Sequence, residues 1–248
     1  GMELIRMLSS HPTFRLTAVY SSSSTGNRLD YENRQHFGLV PHVLNEVDPE
    51  LIAKQSELVF LALPSGISKK LVPELYEHGV KIIDLSGDLR LKNGALYEEW
   101  YKGKSAPSHI LQKSVYGLSE WNRDKIRESC LIANPGCYPT AVLLGLAPLL
   151  SNELIESSDI IIDAKSGVSG AGKKSNDSTH YAHVNENLSI YKVHEHQHIP
   201  EIEQQLGIWS EKSKPISFTT HLVPMTRGIM ATMYVKLQQK MTTEQLHK

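Results

Sequence analysis

The chain has only two cysteines among its 248 residues, Cys130 and Cys137. Two thiols cannot build a disulfide framework, so nothing calls for an oxidising compartment, and a cytoplasmic protein is the expectation. The chain also lacks an excess of one charge. Lysine and arginine number 26 against 27 aspartates and glutamates, a formal net charge of −1, with no long run of one sign. That excludes broad electrostatic capture of nucleic acid or of an anionic membrane. Long apolar runs are missing too. Proline, serine or a charge interrupts each run well short of the roughly 20 residues that span a bilayer, and no signal-peptide pattern is visible.

What is present is ordinary globular material, 40% apolar and 21% charged, and long enough for two domains. The opening residues 1–8 read as a helix already under way, with Leu4, Ile5 and Leu8 at helical spacing. Residues 16–20, 58–63 and 80–85 read as strands, and 67–78 as a helix carrying Ile67, Leu71, Leu75 and Tyr76 on one face. Fully apolar strands alternating with helices predict a parallel sheet covered on both sides. After residue 137 the pattern changes. An apolar helix at 138–150 and a strand at 159–164 lead to a Gly/Ser loop at 166–172. A stretch rich in His and Asn runs from 176 to 198. Strands at 216–223 and 229–237 are expected to be long and antiparallel, and 241–248 reads as the first turns of a helix. The expectation is an α/β fold: a Rossmann-type domain over 1–136 and a mixed α+β domain over 137–248.

The segment Asn134-Pro135-Gly136-Cys137-Tyr138-Pro139-Thr140 lies between the apolar strand 130–133 and the apolar helix that follows. Pro and Gly make a sharp turn, which puts Cys137 at a helix N-terminus. Backbone N–H groups there stabilise a thiolate and an oxyanion formed beside it. Cys130, inside the strand, reads as a small buried residue. The histidines of His194-Glu195-His196-Gln197-His198 alternate, so an extended segment would put all three on one face. Pro200 and Glu201 then open a helix, with His198 just before it. Acid/base work beside a thiol nucleophile suits this cluster of His194, His196 and His198. A metal site is the alternative, but no Cys pair or third ligand accompanies it, so none is assigned. The glycines of Ser166-Gly167-Val168-Ser169-Gly170-Ala171-Gly172 would let backbone approach a ligand, and Lys173 and Lys174 suit an anion. After Tyr20 stand Ser21, Ser22, Ser23 and Ser24, where a dinucleotide fold selecting NAD would carry a carboxylate. Hydroxyls there suit a 2′-phosphate and favour NADP. Arg90, after a strand, could pair a phosphate bidentately.

The segments 84–90, 134–140, 166–172, 196–202 and 221–228 together resemble the N-acetyl-γ-glutamyl-phosphate reductase family, and the resemblance runs along essentially the whole chain. It implies a Rossmann domain followed by an α+β domain like that of the glyceraldehyde-3-phosphate and aspartate-semialdehyde dehydrogenases. It implies NADPH as cofactor, N-acetyl-γ-glutamyl phosphate as substrate, phosphate as product, a step in arginine biosynthesis, and a homo-oligomer, dimer or tetramer. It also implies a strand and a Gly-x-x-Gly-x-x-Gly turn of which Gly1 is the last glycine, and further strands beyond residue 248. On this reading Cys137 and His198 are catalytic. His196, Glu201, Arg90, Asn134 and Ser166 meet substrate. Gly1, Ser21, Ser22, Pro64, Ser65, Gly66, Ser86, Gly167, Ser169 and Gly170 meet NADP. The alternatives are a sister enzyme acting on aspartyl or aminoadipyl phosphate, a metal-dependent hydrolase using the histidines, and a non-catalytic dinucleotide sensor.

Overall fold

The computed structural model describes residues 1–32, 42–172, 176–210 and 215–247; Lys173 and Lys174 lie outside them. Two compact units emerge, one of residues 1–94 and 104–134, the other of residues 95–103 and 135–248.

The first unit runs α1 (Met2–Ser9), β1 (Val19–Tyr20), α2 (Leu29–Glu32), β2 (Leu44–Asn45), α3 (Pro49–Gln55), β3 (Leu58–Leu61), α4 (Ser68–Glu77) and β4 (Lys81–Asp84). After α5 (Gly94–Tyr101), which falls almost wholly in the second unit, it continues α6 (Ser108–Lys113), β5 (Val115–Tyr116), α7 (Arg123–Glu128) and β6 (Leu131–Ala133). The strands β3-β4-β6-β5 form one sheet, every pair parallel, and β1 pairs parallel with β2. Parallel strands need covered faces. Leu61, Ile82, Leu131 and Ala133 accordingly pack with Ile52 of α3, Val72 and Leu75 of α4, and Ile110 and Leu111 of α6 in one cluster. A smaller cluster joins Ile5, Leu29 and Leu44. Helix α3 begins as its sequence asks: Asp48 accepts from the Leu51 amide and Pro49 occupies the first turn.

The second unit continues α8 (Cys137–Ser151), β7 (Ile161–Gly167), α9 (Tyr181–Val184), β8 (Ser189–Tyr191), α10 (Ile199–Trp209), β9 (Ser217–Val223), β10 (Ile229–Tyr234) and α11 (Thr243–Leu246). Its sheet has the order β10-β7-β9-β8. Helix α8 packs against α10 and β10, burying Val142, Leu143 and Leu146 while Ile162, Ala164 and Phe218 are buried from the sheet.

The two late strands run in opposite directions, as expected, with β7 lying between them, parallel to β9 and antiparallel to β10. Ile162 and Ala164 are buried on one face with their edges satisfied on both sides, which makes β7 central. Two expectations change here. Cys130 is not a buried strand residue. Strand β6 starts one residue later, and Cys130 is exposed while its carbonyl accepts from Ile82. The segment opening at Ser166 is not a free loop: β7 runs through Gly167 and a 3₁₀ turn, Val168–Ala171, follows.

Candidate active site

In the second unit Cys137 is the first residue of α8, with Gly136 as its N-cap in extended conformation. The cysteine is exposed. A helix N-terminus leaves its first amides without intrahelical partners, and the dipole favours negative charge there. The cap is held from two sides. Thr140 donates both its amide and its hydroxyl to the Gly136 carbonyl, at 2.9 and 2.8 Å. The Gly136 amide donates to Glu201 Oε1 at 2.8 Å. Glu201 lies in the first turn of α10 and is fully buried.

His198 is the N-cap of α10, and its ring lies flat against Gly136. A methyl group built on Gly136 would come within 2.8 Å of His198 Cδ2 and 2.9 Å of Cε1, closer than van der Waals contact allows. Glycine is therefore required at 136 by the approach of this histidine. The histidine and the residue preceding the cysteine are in direct contact.

The three histidines do not share a face. His194 has a φ of +55° and is exposed in a turn, whereas His196 and His198 are buried with ring centroids 4.7 Å apart. The segment curls at 193–195 instead of extending, and that breaks the alternation. His196 accepts the His198 amide at Nδ1, 3.2 Å, and meets Tyr138, Tyr191 and Phe218 at ring-centroid distances of 5.3, 5.8 and 5.7 Å. Burial, aided by the Lys192 charge, pushes its pKa down to about 4, so the ring is neutral at ordinary pH. With Nδ1 accepting, the neutral ring carries its proton on Nε2.

Two tyrosines complete the cluster. Tyr138 and Tyr191 share a hydroxyl–hydroxyl bond of 2.8 Å, and the Thr220 hydroxyl donates to the Tyr191 carbonyl at 2.6 Å. Burial raises both phenol pKa values. The neighbouring phenol adds to this at Tyr138, and the Cys137 charge adds to it at both. Both are therefore neutral hydroxyls within electrostatic reach of Cys137. Ser166 is buried, bonded to the Gly167 carbonyl and close enough to share a bond with the Tyr138 hydroxyl. Sequence reasoning missed Tyr191. A lone tyrosine on a three-residue strand has no motif, and the signal that existed was only its place just before the histidine stretch. Among the described residues no group of three or more His, Cys, Asp or Glu side chains is arranged to hold a metal ion.

At Gly167 the close neighbour is protein. A Cβ there would meet the Arg227 amide at 2.8 Å and the Met225 carbonyl at 2.9 Å. The amides of Gly167, Val168 and Ser169 donate to the carbonyls of Gly228, Met225 and Thr226. The backbone of 225–228 thus fills the space that was expected to admit a ligand, while Ser169 and Gly170 are exposed beyond it.

In the first unit the C-terminal strand ends gather the other candidates. Gly1, the N-cap of α1, lies beside Ala62, just after β3. Pro64, Ser65 and Gly66 form the turn from β3 to α4, with Gly66 at φ +95°. Asp88 fixes that turn by accepting the Gly66 amide at both carboxylate oxygens, 2.7 and 2.9 Å, and the Lys69 amide at 3.1 Å. Ser86 is buried, donating to Asp84 at 2.8 Å and accepting the Asp88 amide at 3.1 Å. Burial raises the Asp84 pKa. Ser21 is partly exposed and Ser22 exposed after β1, and Ser21 Oγ accepts the amides of Ser23 and Ser24. No carboxylate stands among residues 21–25. A helix N-terminus beside parallel strand ends, with hydroxyls after β1, fits a phosphorylated dinucleotide. Arg90 is the residue expected to pair a phosphate bidentately. It is buried, donating from Nε to the Asn134 carbonyl at 2.8 Å and from a terminal nitrogen to the Leu85 carbonyl at 2.9 Å. Asn134 in turn donates its amide to the Asp84 carbonyl.

Residues 1–129 match the family described as semialdehyde dehydrogenase, NAD binding domain, and residues 137–248 match semialdehyde dehydrogenase, dimerisation domain. The chain is 55% identical over 247 residues to the N-acetyl-gamma-glutamyl-phosphate reductase of Geobacillus thermodenitrificans, covering 99% of this chain and 71% of that one. It is 51% identical over 249 residues to that of Bacillus cytotoxicus, covering 100% and 72%. Among solved structures, aspartate semialdehyde dehydrogenase II from Vibrio cholerae superposes with a TM-score of 0.71 at 18% identity, over 99% of this chain and 73% of that one. Aspartate semialdehyde dehydrogenase with NADP from Candida albicans gives 0.65 at 14%, over 98% and 69%. At such identities the two structures speak for the fold alone. The chain belongs to the semialdehyde dehydrogenase family and, within it, to the N-acetyl-gamma-glutamyl-phosphate reductases.

Proposed function

We propose that this chain reduces N-acetyl-γ-glutamyl phosphate to N-acetylglutamate 5-semialdehyde with release of phosphate, in arginine biosynthesis. The observation that carries this reading is the exposed Cys137 at the start of α8, next to a glycine on which the His198 ring rests. We assign residues 1–136 to cofactor binding and 137–248 to catalysis and self-association.

The Cys137 thiolate attacks the γ-carbonyl, and the carbon–oxygen bond to phosphate breaks, leaving a thioester on Cys137. His198 takes the thiol proton and returns it to the departing phosphate. The amides at the α8 N-terminus stabilise the tetrahedral oxyanion, and the neutral Tyr138–Tyr191 pair borders the site with hydroxyl dipoles. His196, fixed as an Nε2–H donor, orients substrate and does not move protons. When bound, NADPH supplies the hydride that takes the thioester to the aldehyde oxidation level. Gly1, Ser21, Ser22, Pro64, Ser65 and Gly66 would hold it in the first unit; Ser86 supports that turn through Asp84 and Asp88. We assign Ser166 to substrate in the second unit; in the first we assign Asn134 and Arg90, Arg90 acting by holding the Asn134 carbonyl.

Self-association is assigned to the sheet of the second unit. On the face opposite the buried Ile162 and Ala164 stand Ile161, Met230 and Tyr234, all exposed. No helix among the described residues is long and apolar enough to cross a membrane, and we place the enzyme in the cytoplasm.

The test is NADPH oxidation with N-acetyl-γ-glutamyl, aspartyl and carrier-linked aminoadipyl phosphates side by side. Turnover preferring the first by about 100-fold or more in kcat/KM supports the assignment. Preference for either other acyl phosphate overturns it.

A further inference from the structure

Resting on the reading of Cys137 as nucleophile, we propose that Glu201 is a positioning residue that holds the catalytic turn through the Gly136 amide and does not touch substrate. Its carboxylate is fully buried, whereas a substrate ligand must be reachable. Oε1 accepts the Gly136 N–H at 2.8 Å across 65 residues of sequence, a long-range bond between the first turn of α10 and the cap of α8. His198, one turn before Glu201 and sharing its helix start, lies on the same glycine. One short segment of α10 therefore delivers both the ring that flanks the cysteine and the acceptor that fixes the cysteine's own cap. Removing the acceptor leaves a buried amide unsatisfied and frees the N-terminus of α8 to move against the ring. Misplacement of about 1 Å between nucleophile and base is enough to cost roughly 100-fold in rate.

The test compares Glu201→Gln with Glu201→Leu in the intact enzyme. Both remove the ionisable carboxyl, and of the two only glutamine keeps an oxygen that can accept the Gly136 N–H. Glutamine keeps a carbonyl oxygen for Gly136 and should retain kcat within about tenfold, while leucine should lower kcat about 100-fold, with KM for the acyl phosphate changing less than about threefold in each. Alkylation of Cys137 by iodoacetamide, measured without substrate or NADPH, should slow in the leucine variant and not in the glutamine variant. Because that readout needs no turnover, it decides the proposal even if the substrate assignment fails. A rise in KM of about tenfold or more in both variants, with alkylation unchanged, would place Glu201 on the substrate and overturn the proposal. If the leucine variant does not fold, Glu201→Ala takes its place in both readouts, and a rise in KM of about tenfold or more in Glu201→Gln alone still overturns the proposal.

Discussion

At the scale of single residues the site combines a charge-tolerant position with neutral neighbours. Cys137 occupies a helix N-terminus, and beside it burial keeps His196 neutral and makes the Tyr138 and Tyr191 hydroxyls still harder to ionise than a free phenol. The depressed pKa of His196 has a consequence for stability. The folded value, about 4, lies below the unfolded value near 6.5, so between those pH values the unfolded chain binds more protons. His196 therefore costs nothing above pH 6.5, and stability falls as pH drops from 6.5 towards 4, by up to roughly 3 kcal/mol. Urea midpoints at pH 7 and pH 4.5 should show this loss, and His196→Asn should flatten it; an unflattened slope would place the acid-sensitive group elsewhere. In turnover, His198→Asn should reduce kcat about 100-fold or more and His196→Asn much less, because only His198 is assigned proton transfer. Equal losses would mean that the roles are shared. At this scale the places of Cys137 at the start of one helix and of His198 just before another were legible from the turn residues around them. The burial of Arg90 and Glu201 was not, since a charged residue in a motif reads equally well as a ligand contact or as a bond to backbone.

Secondary elements were legible where pattern and punctuation agree. Apolar runs closed by Pro-Ser-Gly, Ser-Gly-Asp and Asn-Pro-Gly gave β3, β4 and β6 and the starts of α4 and α8 close to their places. They failed where backbone conformation departs from the default. His194 at φ +55° curls the segment that alternation would extend. The 225–228 backbone takes the space at Gly167 through long-range hydrogen bonds that composition does not encode. The tightest element-level constraint is the crossing of the α8 cap with the α10 start. Gly136→Ala should displace the His198 ring and lower kcat about 100-fold while Cys137 stays alkylatable, because the added methyl strikes the ring and not the thiol. Wild-type kcat in that variant would show that the ring does not sit where described when the enzyme works.

For the whole molecule, alternating strands and helices were enough to predict a parallel sheet first and a mixed sheet second, but not the insertion of β7 between β9 and β10. Strand order depends on which edges are satisfied, and a hydrophobic pattern is blind to that. The exposed Ile161, Met230 and Tyr234 on the second sheet belong to the same scale. Ile161→Lys puts a charge at the start of β7 beside Tyr234 and should shift sedimentation towards the monomer at micromolar concentration, with the melting temperature falling in step. An unchanged sedimentation coefficient would move the interface elsewhere. The central claim is that Cys137 carries acyl groups between phosphate and an aldehyde. It is tested most directly in the reverse direction, by NADP reduction with N-acetylglutamate semialdehyde, with and without phosphate, in the wild type and in Cys137→Ser. The account predicts phosphate-dependent reduction in the wild type and a loss of several orders of magnitude in the variant. Full phosphate-dependent reduction by Cys137→Ser would contradict it.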